Sequence, residues 1–458
     1  MLPSLKKWLI LPVEIKVREL DAKLWLASLA LERSYGVIIG SIRQVERYEP
    51  QFPSGVYFAK DIAPGRREQL QRLNDSRMIV VCQDEETTIA RGSYDNFFDQ
   101  RVSEDSLGLT HRFFAWGSGD ADCLKTIHPW ASDRVVPTGS PRVDLWRPEL
   151  RDFHAAAVKK LRKKYGDYIL VASNFGANNI SSDDEVLSTA KKVGVFRDPE
   201  AIDRHGRYWS YIRELFNEFK HAPSIVARSF PDLPIIVRPH PVEDPMVWRS
   251  AVSDVKNARV VFEGTITPWL LGARAVLHNS CTSAIEATIL DVPVVSYRPL
   301  ASEEFDLDLA NAISWQATTP SELVDAVGAA LSRPSAFLAE QQRKGRPLLS
   351  GLLTGLKEDL AAERILSRLD ELPWNEAPVA HPEIVPWQSL AADSFNDQRI
   401  TAKRWLRGDP MKRRKHKFPG LGLEELKDKL KRFRAVRGNA VAHRTVQLSK
   451  DLYVIWSG

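Results

Sequence analysis

The fold class is decided by residues 8–41, WLILPVEIKVRELDAKLWLASLALERSYGVIIGS. The apolar run 8–13 predicts a buried strand, and the amphipathic pattern of 19–33 predicts a helix. Tyr35 and Gly36 end that helix, and the apolar run 37–40 predicts a second strand. A strand, a helix and a second strand in this order predict a parallel sheet with helices packed against it.

The same alternation continues along the chain in two series. The first predicts further strands at 56–59, 78–82, 112–116 and 134–137, and a helix at 150–165 follows it. The second predicts a helix at 208–219 and strands at 168–172, 235–238, 258–262, 275–278 and 292–297. Two consecutive series predict an α/β protein of GT-B-like architecture, in which two Rossmann-like domains face each other across a cleft.

Composition changes divide the chain into three parts. We expect an N-terminal Rossmann-like domain over 1–150, a nucleotide-sugar donor domain over 151–372, and a linker with a basic helical tail over 373–458. The linker is indicated by Pro373, Pro378, Pro382 and Pro386. The tail contains the basic run 412–417 and a predicted helix at 423–434.

Length, charge and cysteine usage exclude several classes of protein. A chain of 458 residues with a formal charge of +5 is an ordinary globular protein of more than one domain. Its three cysteines are far apart, which argues against a disulfide framework or a zinc site. The apolar run near the N-terminus is too short for a signal or a membrane span, so we expect a cytoplasmic protein. A nucleic-acid-binding motif is lacking, and nucleic acid is not an expected partner.

The strongest local signal is Arg238-Pro239-His240-Pro241, at the carboxyl end of a predicted strand. In a doubly wound sheet this position opens into the ligand crevice. Arg238 and His240 are expected to donate to phosphate from a turn that the prolines stiffen. The alternative is a rigid turn that carries a surface histidine.

A second signal is the segment 278–287, HNSCTSAIEA, in which small hydroxyl residues separate a strand from a helix. Free backbone N–H groups and hydroxyls at a helix start form an anion site. Glu286 is expected either to accept a ribose hydroxyl or to cap the helix. The alternative is a capped helix without a ligand. The predicted donor site consists of Asn174, Arg238, His240, Gly264, Asn279, Ser280, Thr282, Ser283 and Glu286.

Carboxylates in the first half are candidates for catalysis. Asp84, Glu85 and Glu86 follow a predicted strand, where adjacent acids repel one another and raise at least one pKa. Such a carboxylate deprotonates an acceptor hydroxyl or attacks the sugar directly. The alternative is a solvated acidic turn.

A charged cluster after the first strand extends this site. Its members are Glu14, Arg18, Glu19, Asp21 and Lys23, and some are expected to form helix-surface ion pairs. Glu14 is a further catalytic candidate. Arg18, and Arg142 in the turn 139–144, are expected to bind the acceptor.

These pieces, in this order, resemble a bacterial family of surface carbohydrate biosynthesis proteins, and the resemblance spans nearly the whole chain. The motifs that carry it are 11–19, 84–86, 139–144, 173–176, 237–241, 268–271, 278–287 and 418–420. More distantly, a His-Pro element before a Ser/Thr-rich helix start is similar to GT-B enzymes that use CMP-activated acidic sugars. Those enzymes include sialyltransferases and transferases of 3-deoxy-manno-octulosonic acid (Kdo).

The resemblance implies a glycosyltransferase of surface polysaccharide (capsule or lipopolysaccharide) biosynthesis. It implies that a CMP-linked sugar is transferred to a glycan or lipid-linked acceptor, and that no cofactor is required. It places the CMP phosphate near His240, Ser280, Thr282 and Ser283, with Glu85 or Glu86 as the catalytic carboxylate. Thr87 stands where the pattern has glycine after the acids. No metal is expected, because cationic donors and a helix start can neutralise the leaving phosphate.

Several alternatives stay open at this point. A carboxylate that acts as a base inverts the anomeric centre, and one that acts as a nucleophile retains it. A two-domain UDP-sugar epimerase and a non-catalytic scaffold of a polysaccharide assembly complex are the alternative functions. The basic tail is expected to contact the inner-membrane surface, to hold an acidic glycan, or to form a solvated face.

Overall fold

The computed structural model describes residues 5–86, 97–98, 101–176, 199–240, 243–306, 308–374, 417–438 and 441–458. These residues form two compact units. The first contains the described residues up to 153 and from 350 onward, and the second contains those from 154 to 349. The cleft that the sequence predicts between two domains stays a prediction.

Strands and helices alternate through most of the chain. The strands are β1 (Trp8–Val13), β2 (Gly36–Ser41), β3 (Val56–Ala59), β4 (Ile79–Cys82), β5 (Arg112–Ala115), β6 (Val135–Pro137), β7 (Ile169–Ala172), β8 (Ile235–Arg238), β9 (Ala258–Val260), β10 (Ala275–His278), β11 (Val294–Tyr297), β12 (Trp315–Ala317), β13 (His443–Ser449) and β14 (Leu452–Ser457). The α-helices are α1 (Lys16–Glu32), α2 (Ile42–Tyr48), α3 (Arg67–Asp75), α4 (Glu104–Gly108), α5 (Ser118–Ile127), α6 (Pro141–Asp144), α7 (Ala155–Tyr165), α8 (Pro199–Phe219), α9 (Ala222–Ser229), α10 (Pro245–Ala251), α11 (Thr267–Gly272), α12 (Ser283–Ile289), α13 (Asp308–Ala312), α14 (Pro320–Ser332), α15 (Pro334–Leu352), α16 (Ala361–Asp370) and α17 (Leu423–Arg437).

The first unit is built on a sheet in the order β13-β14-β2-β1-β3-β4-β5-β6. Strands β1 to β6 are parallel to their neighbours, and β14 joins β2 in the antiparallel direction. Every residue of β1 and β2 is buried. A strand covered on both faces is apolar throughout, which explains why the opening run of the chain contains no polar alternation.

The second unit is built on a parallel sheet in the order β12-β11-β10-β7-β8-β9. Its first strand, β7, lies in the middle, with two strands on one side and three on the other. This is the standard Rossmann order. The structure confirms the strands predicted in both halves, with differences at their ends of up to two residues. The short edge strand β12 was not predicted, because Trp315 and Gln316 are exposed and give no apolar run.

The predicted end of the second domain, residue 372, differs from the structure, because the chain returns to the first unit at Ser350. Thr354 donates its backbone N–H to the carbonyl of Trp116 at 2.9 Å. The carboxylate of Asp144 accepts the first backbone N–H groups of α16, from Ala361 at 2.8 Å and from Ala362 at 2.9 Å. These bonds join segments far apart in the sequence, so local patterns do not reveal them.

The C-terminal part is only partly the predicted basic helical tail. The predicted helix is confirmed as α17, whose Leu426, Leu430 and Phe433 are buried in the first unit. Residues 443–457 are not a tail but a hairpin, because the apolar face of β14 completes the first sheet beside β2. The prolines at 378, 382 and 386 and the basic residues 412–416 lie outside the described residues.

Every helix in the described ranges is too short or too polar to cross a lipid bilayer. In the same ranges, no three His, Cys, Asp or Glu side chains are grouped as a metal ion would require. All three cysteines are free thiols.

Gly117 tests the attachment of residue 352 to the first unit. A Cβ atom added at Gly117 lies 1.6 Å from the carbonyl oxygen of Leu352, whereas one added at Gly65 meets nothing within 4 Å. We therefore expect Gly117→Ala to lower the free energy of unfolding by about 2–3 kcal/mol. Urea titration monitored by tryptophan fluorescence measures this, with Gly65→Ala as the matched control. Equal stability of the two variants would contradict the described attachment.

Candidate functional site

The second sheet has a topological switch point between β7 and β10. From this pair of strands the sheet grows outward in both directions, and in sheets of this order ligands bind in a crevice outside the carboxyl ends of the two strands. The loop after β7 begins at Ser173, and the loop after β10 begins at Asn279. The sequence-predicted donor residues lie at this carboxyl edge of the second sheet: Arg238 ends β8, and the others are in loops or in the first turn of α12.

Asn174 and Ser280 tie the two loops of the switch point together. The Asn174 side-chain amide donates to the backbone carbonyl of Ser280 at 3.1 Å. Ser280 has a φ of 41°, in the left-handed region that non-glycine residues seldom adopt. Its hydroxyl accepts from the Asn311 amide at 2.9 Å, and Asn311 in turn accepts from Ser296 at 2.7 Å. These bonds hold a backbone conformation that costs free energy, which is typical of ligand-binding loops.

Thr282 and Ser283 form the more accessible part of the same loop. Thr282 is exposed and Ser283 is half-buried, and α12 begins at Ser283. Thr282 makes no side-chain cap bond to that helix. Two hydroxyl side chains at a helix start are the donors that an anionic group needs.

His278 supports this loop from beneath. The Cys281 backbone N–H donates to Nδ1 at 3.2 Å, so the ring hydrogen is on Nε2, which donates to the Ser314 hydroxyl at 2.9 Å. The Ser314 hydroxyl in turn donates a hydrogen bond to the carbonyl of Ala310 at 2.6 Å. Burial lowers the pKa of His278 to about 3. The ring is therefore a neutral structural bridge.

Asn279 and Glu286, both predicted to bind the donor, are buried, and both side chains form hydrogen bonds within the protein. The Asn279 amide donates to the carbonyl of Tyr297 at 2.8 Å. The Glu286 carboxylate accepts the hydroxyl of Thr267, the first residue of α11. Glu286 thus joins two helix starts at this edge, and neither predicted role (a ribose contact or a cap of its own helix) describes its observed bond.

Arg238 differs from its predicted role as a phosphate donor. Its guanidinium is buried and donates to the carbonyls of Glu263 at 2.6 Å and Gly264 at 3.0 Å. It also lies 5.0 Å from the ring centroid of Trp269. Burial lowers the pKa of Arg238 to about 10. In this structure Arg238 holds the turn after β9, in which Gly264 has a φ of 64° and is exposed.

His240 is the member of the first donor motif that remains half-buried at the crevice edge. Its carbonyl accepts the backbone N–H of Glu243 at 2.9 Å, which closes the turn after β8. Pro241, the last residue of that motif, lies outside the described residues.

Glu243 is a residue that the sequence interpretation missed. Its buried carboxylate accepts the Ser173 hydroxyl at 2.6–2.7 Å, the Phe175 backbone N–H at 2.7 Å and the Trp248 indole N–H at 2.7 Å. It thereby fixes the loop after β7 to the turn that carries His240. The only available signal was a single acid two residues after Pro241, which is too common to be informative.

The first sheet has its own switch point, between β1 and β3. Glu14 follows β1, and Lys60, which follows β3, forms an ion pair with it. Lys417 also contacts Glu14, at 2.7 Å. Burial disfavours the charged carboxylate, but the two lysines outweigh it and lower the pKa of Glu14 to about 2. Glu14 is therefore an ionised, paired group at neutral pH.

The three acids after β4 have three different surroundings. Asp84 is buried, and both of its oxygens accept from the guanidinium of Arg101, at 2.8 Å and 3.0 Å. Asp84 also accepts the backbone N–H of Glu86 at 2.8 Å. Burial raises the pKa of Asp84, and Arg101 opposes this. With both oxygens occupied, Asp84 shapes the turn, which differs from its predicted catalytic role.

Glu86 is the most exposed of the three. It forms an ion pair with Arg18 at 2.7 Å, and its side chain is 46% exposed. Burial acts against ionisation, but Arg18 outweighs it and lowers the pKa of Glu86. Glu86 is therefore held as a carboxylate. Arg18, predicted to bind an acceptor, is paired with it.

Glu85 is buried and only weakly paired. Among the described residues, its carboxylate contacts the Lys23 ammonium at 3.5 Å, and Arg142 donates to its backbone carbonyl at 3.4 Å. Burial raises the pKa of Glu85, and Lys23 opposes this. The Arg142 guanidinium also lies over the ring of Trp116, at 5.3 Å. Glu85 is thus the acid of this turn that is best suited to exchange a proton.

Glu19 and Lys23 are buried, so their ion pair is not one of the helix-surface pairs expected for some members of this cluster. The Glu19 carboxylate accepts the backbone N–H groups of Glu14 at 2.8 Å and Ile15 at 3.0 Å. Lys23 lies 3.3 Å from Glu19. The available signal was a pair of opposite charges four residues apart within an otherwise apolar helix.

Comparisons with known proteins identify the fold. No known protein family matches the sequence, and no curated protein is significantly similar to it. A variant of the wall teichoic acid polymerase TagF aligns with a TM-score of 0.51 at 10% identity, over 80% of this chain and 88% of that chain. MnaA of S. aureus with UDP aligns at 0.49 and 12% identity, over 82% of this chain and 100% of that one. A putative UDP-N-acetylglucosamine 2-epimerase of Listeria monocytogenes gives 0.49 and 12%, over 83% and 100%.

The likeness to the polymerase shows the fold alone, because 10% identity carries no information about activity. The chain has a two-domain α/β fold with Rossmann-type parallel sheets, as the sequence predicts for the GT-B-like class. The function therefore has to be argued from the site residues.

The structural role of His278 predicts a measurable pH dependence. Below pH 6.5 the unfolded chain binds a proton at this position, whereas the folded protein does not until the pH approaches 3. Stability is therefore lost as the pH falls through this window, by up to about 1.4 kcal/mol per pH unit.

We expect His278→Asn to remove this contribution. Between pH 7.5 and pH 5, the wild type should lose about 2 kcal/mol more stability than the variant, measured by urea unfolding. His221→Asn, which changes an exposed histidine of the same unit, is the control and should follow the wild type. Identical pH dependence of His278→Asn and wild type would contradict a neutral, buried ring.

Proposed function

We propose that the protein is a nucleotide-sugar-dependent glycosyltransferase of glycan biosynthesis. The observation that carries this proposal is the switch point between β7 and β10, where a strained, internally tied loop presents hydroxyl groups at a helix start. In sheets of Rossmann order, nucleotides bind at this position. The fold shared with a wall teichoic acid polymerase is consistent with the same class of chemistry.

In this proposal the donor phosphate lies against Ser280, Thr282 and Ser283, with His240 at the crevice edge. Asn174 fixes the loop, and Glu243 fixes the turn of His240, so the polar groups are positioned before the nucleotide arrives. Groups that need no rearrangement stabilise the charge of a leaving phosphate most effectively. Arg238, Asn279 and Glu286 act by holding the surrounding turns.

Glu85 is the proposed catalytic group. The acceptor hydroxyl gives its proton to the Glu85 carboxylate, the hydroxyl oxygen bonds to the anomeric carbon, and the bond from that carbon to the phosphate oxygen breaks. The phosphate leaves with the electron pair. Burial raises the pKa of the Glu85 carboxyl group, which makes its carboxylate a stronger base than that of an ordinary glutamate. Glu86 and Glu14 remain ionised and contribute negative charge to the surroundings of Glu85.

The finer assignments stay predictions. The structural comparisons lend no support to a CMP-linked donor such as CMP-Kdo, so the nucleotide is left to experiment. Acceptor binding by Arg18 and Arg142, a cytoplasmic location and membrane contact by the basic tail also stay predictions. The assembly of capsule or lipopolysaccharide in particular also stays a prediction.

A two-domain UDP-sugar epimerase is the second candidate. The observation that favours it is the adjacency of Glu85 and Glu86, whose surroundings shift their pKa values in opposite directions. Such a pair can divide the work of removing and returning a proton. Conversion of a UDP-sugar to its C2 epimer without an acceptor would favour this reading over transfer.

Nucleotide binding is the first test. We expect one of CMP, UDP, GDP or ADP to raise the melting temperature of the wild type by about 5–10 °C at a hundredfold excess over its Kd. His240→Ala and Thr282→Ala should lose most of this shift, because both side chains lie at the proposed phosphate. His221→Ala is the control and should keep the shift. If no nucleotide stabilises the wild type, the donor site is wrong and a scaffold is the better account.

Catalysis is the second test. We expect Glu85→Gln to lower the rate of sugar transfer by about 10²–10⁴-fold, because the amide cannot accept the proton. The shift produced by the nucleotide should be unchanged, since Glu85 and the nucleotide loops belong to different units. Product formation from a radiolabelled donor measures this. Asp84→Asn is a matched control for loss of a structural acid, and its defect should appear as lower stability. A fully active Glu85→Gln would contradict the assignment.

A further inference from the structure

The charged groups around the first switch point pair off and leave Glu85 as the exception. Asp84 is matched by Arg101, Glu86 by Arg18, and Glu14 by Lys60 and Lys417. Glu19 has two backbone N–H donors, Lys23 at 3.3 Å and, at 3.5 Å, the Arg18 guanidinium that also pairs with Glu86. Among the described residues, the Glu85 carboxylate has an ion-pair contact with Lys23 alone, at the longer distance of 3.5 Å, and shares that cation with Glu19.

Lys23 is buried between the two glutamates. Its side chain is 4% exposed, that of Glu19 is 0% and that of Glu85 is 8%. The ammonium also donates to the carbonyl of Pro12, which fixes it at the end of β1. One positive charge therefore serves two carboxylates in a place where water cannot compensate for the shortage.

We propose that Lys23 and Glu19 are positioning residues that keep Glu85 ready to exchange a proton. Glu19 draws Lys23 toward the β1–α1 turn and withholds part of its charge from Glu85. Lys23 in turn keeps Glu85 from becoming a permanently protonated acid. The relevance of this arrangement to catalysis rests on the proposed function, whereas the arrangement itself is a property of the folded chain.

Other charged residues lie around Glu85, and their charges also influence its carboxyl group. Arg142 approaches from α6, through the backbone carbonyl of Glu85. Arg18 approaches from α1, although Glu86 occupies it. From the loop after β3, Lys60 contributes its backbone carbonyl to the Glu85 N–H at 3.0 Å, while its ammonium is paired with Glu14 and Asp61. None of these cations is as close to the Glu85 carboxylate as Lys23 in the described structure.

Protonation of Glu85 can be measured without any assay of activity. Burial raises the pKa of Glu85 in the folded state. The folded protein therefore holds this proton to a higher pH than the unfolded chain does. Relative to a Glu85→Gln partner, stability falls as the pH rises from the unfolded pKa to the folded pKa, and is constant above it. The upper end of that decline reports the folded pKa of Glu85.

The experiment measures urea unfolding between pH 4 and pH 9 for the wild type and for each variant below. Each of these proteins is compared with the same protein carrying the additional substitution Glu85→Gln. Lys23→Met should move the end of the decline up by about 1–3 pH units, because the nearest positive charge is lost. Glu19→Gln should move it down by about 1 unit, because Lys23 is released to Glu85. Lys23→Arg keeps the positive charge and should leave the end of the decline at the wild-type pH. Glu32→Gln, near the other end of α1, is the control.

Shifts in opposite directions from Lys23→Met and Glu19→Gln support the proposal. A purely structural role would lower stability without moving the pH at which the decline ends in opposite directions. Unmoved end points, or shifts of the same sign, would overturn it. If Lys23→Met does not fold, Lys23→Arg and Glu19→Gln still provide the test. Opposite shifts without any sugar transfer would reject only the proposed reaction. Sugar transfer with unmoved end points would reject only the positioning roles.

Discussion

The burial of parallel strands is the constraint on which the rest of the structure depends. A parallel sheet covered on both faces has no polar face, so its polar side chains collect at the strand ends. In the first unit the carboxyl edge carries Glu14, Lys60 and the acids after β4. In the second unit it carries the loops after β7, β8 and β10. Each sheet thus concentrates its chemistry at one edge, next to its switch point.

Burial also decides what these polar groups can do. A polar side chain removed from water must find a partner, and most of the predicted donor residues have found one inside the protein. Arg238 holds the turn after β9, Asn279 holds β11, and Glu286 holds α11. The predicted donor side chains that keep some exposure are those of Asn174, His240, Ser280, Thr282 and Ser283. This division separates residues that build the loops from residues able to meet a ligand.

The sequence predicted the strands better than the contacts of individual side chains. Apolar runs such as 8–13 and 235–238 are short-range signals, and the structure confirms them as strands. The hairpin 443–457 and the return at Ser350 depend on partners hundreds of residues away. The same limit applies to the acids: adjacent in sequence, Asp84, Glu85 and Glu86 differ because Arg101, Lys23 and Arg18 reach them from other elements. Pairing of this kind leaves no local pattern.

The central claim is that a nucleotide binds at the switch point of the second sheet. Hydrogen–deuterium exchange of the wild type, with and without a saturating nucleotide such as UDP or CMP, tests it most directly. The account predicts slower exchange in peptides that cover 173–176, 238–240 and 279–286, with little change in the rest of the second unit. Slower exchange confined to other segments, or no change with any nucleotide, would contradict it.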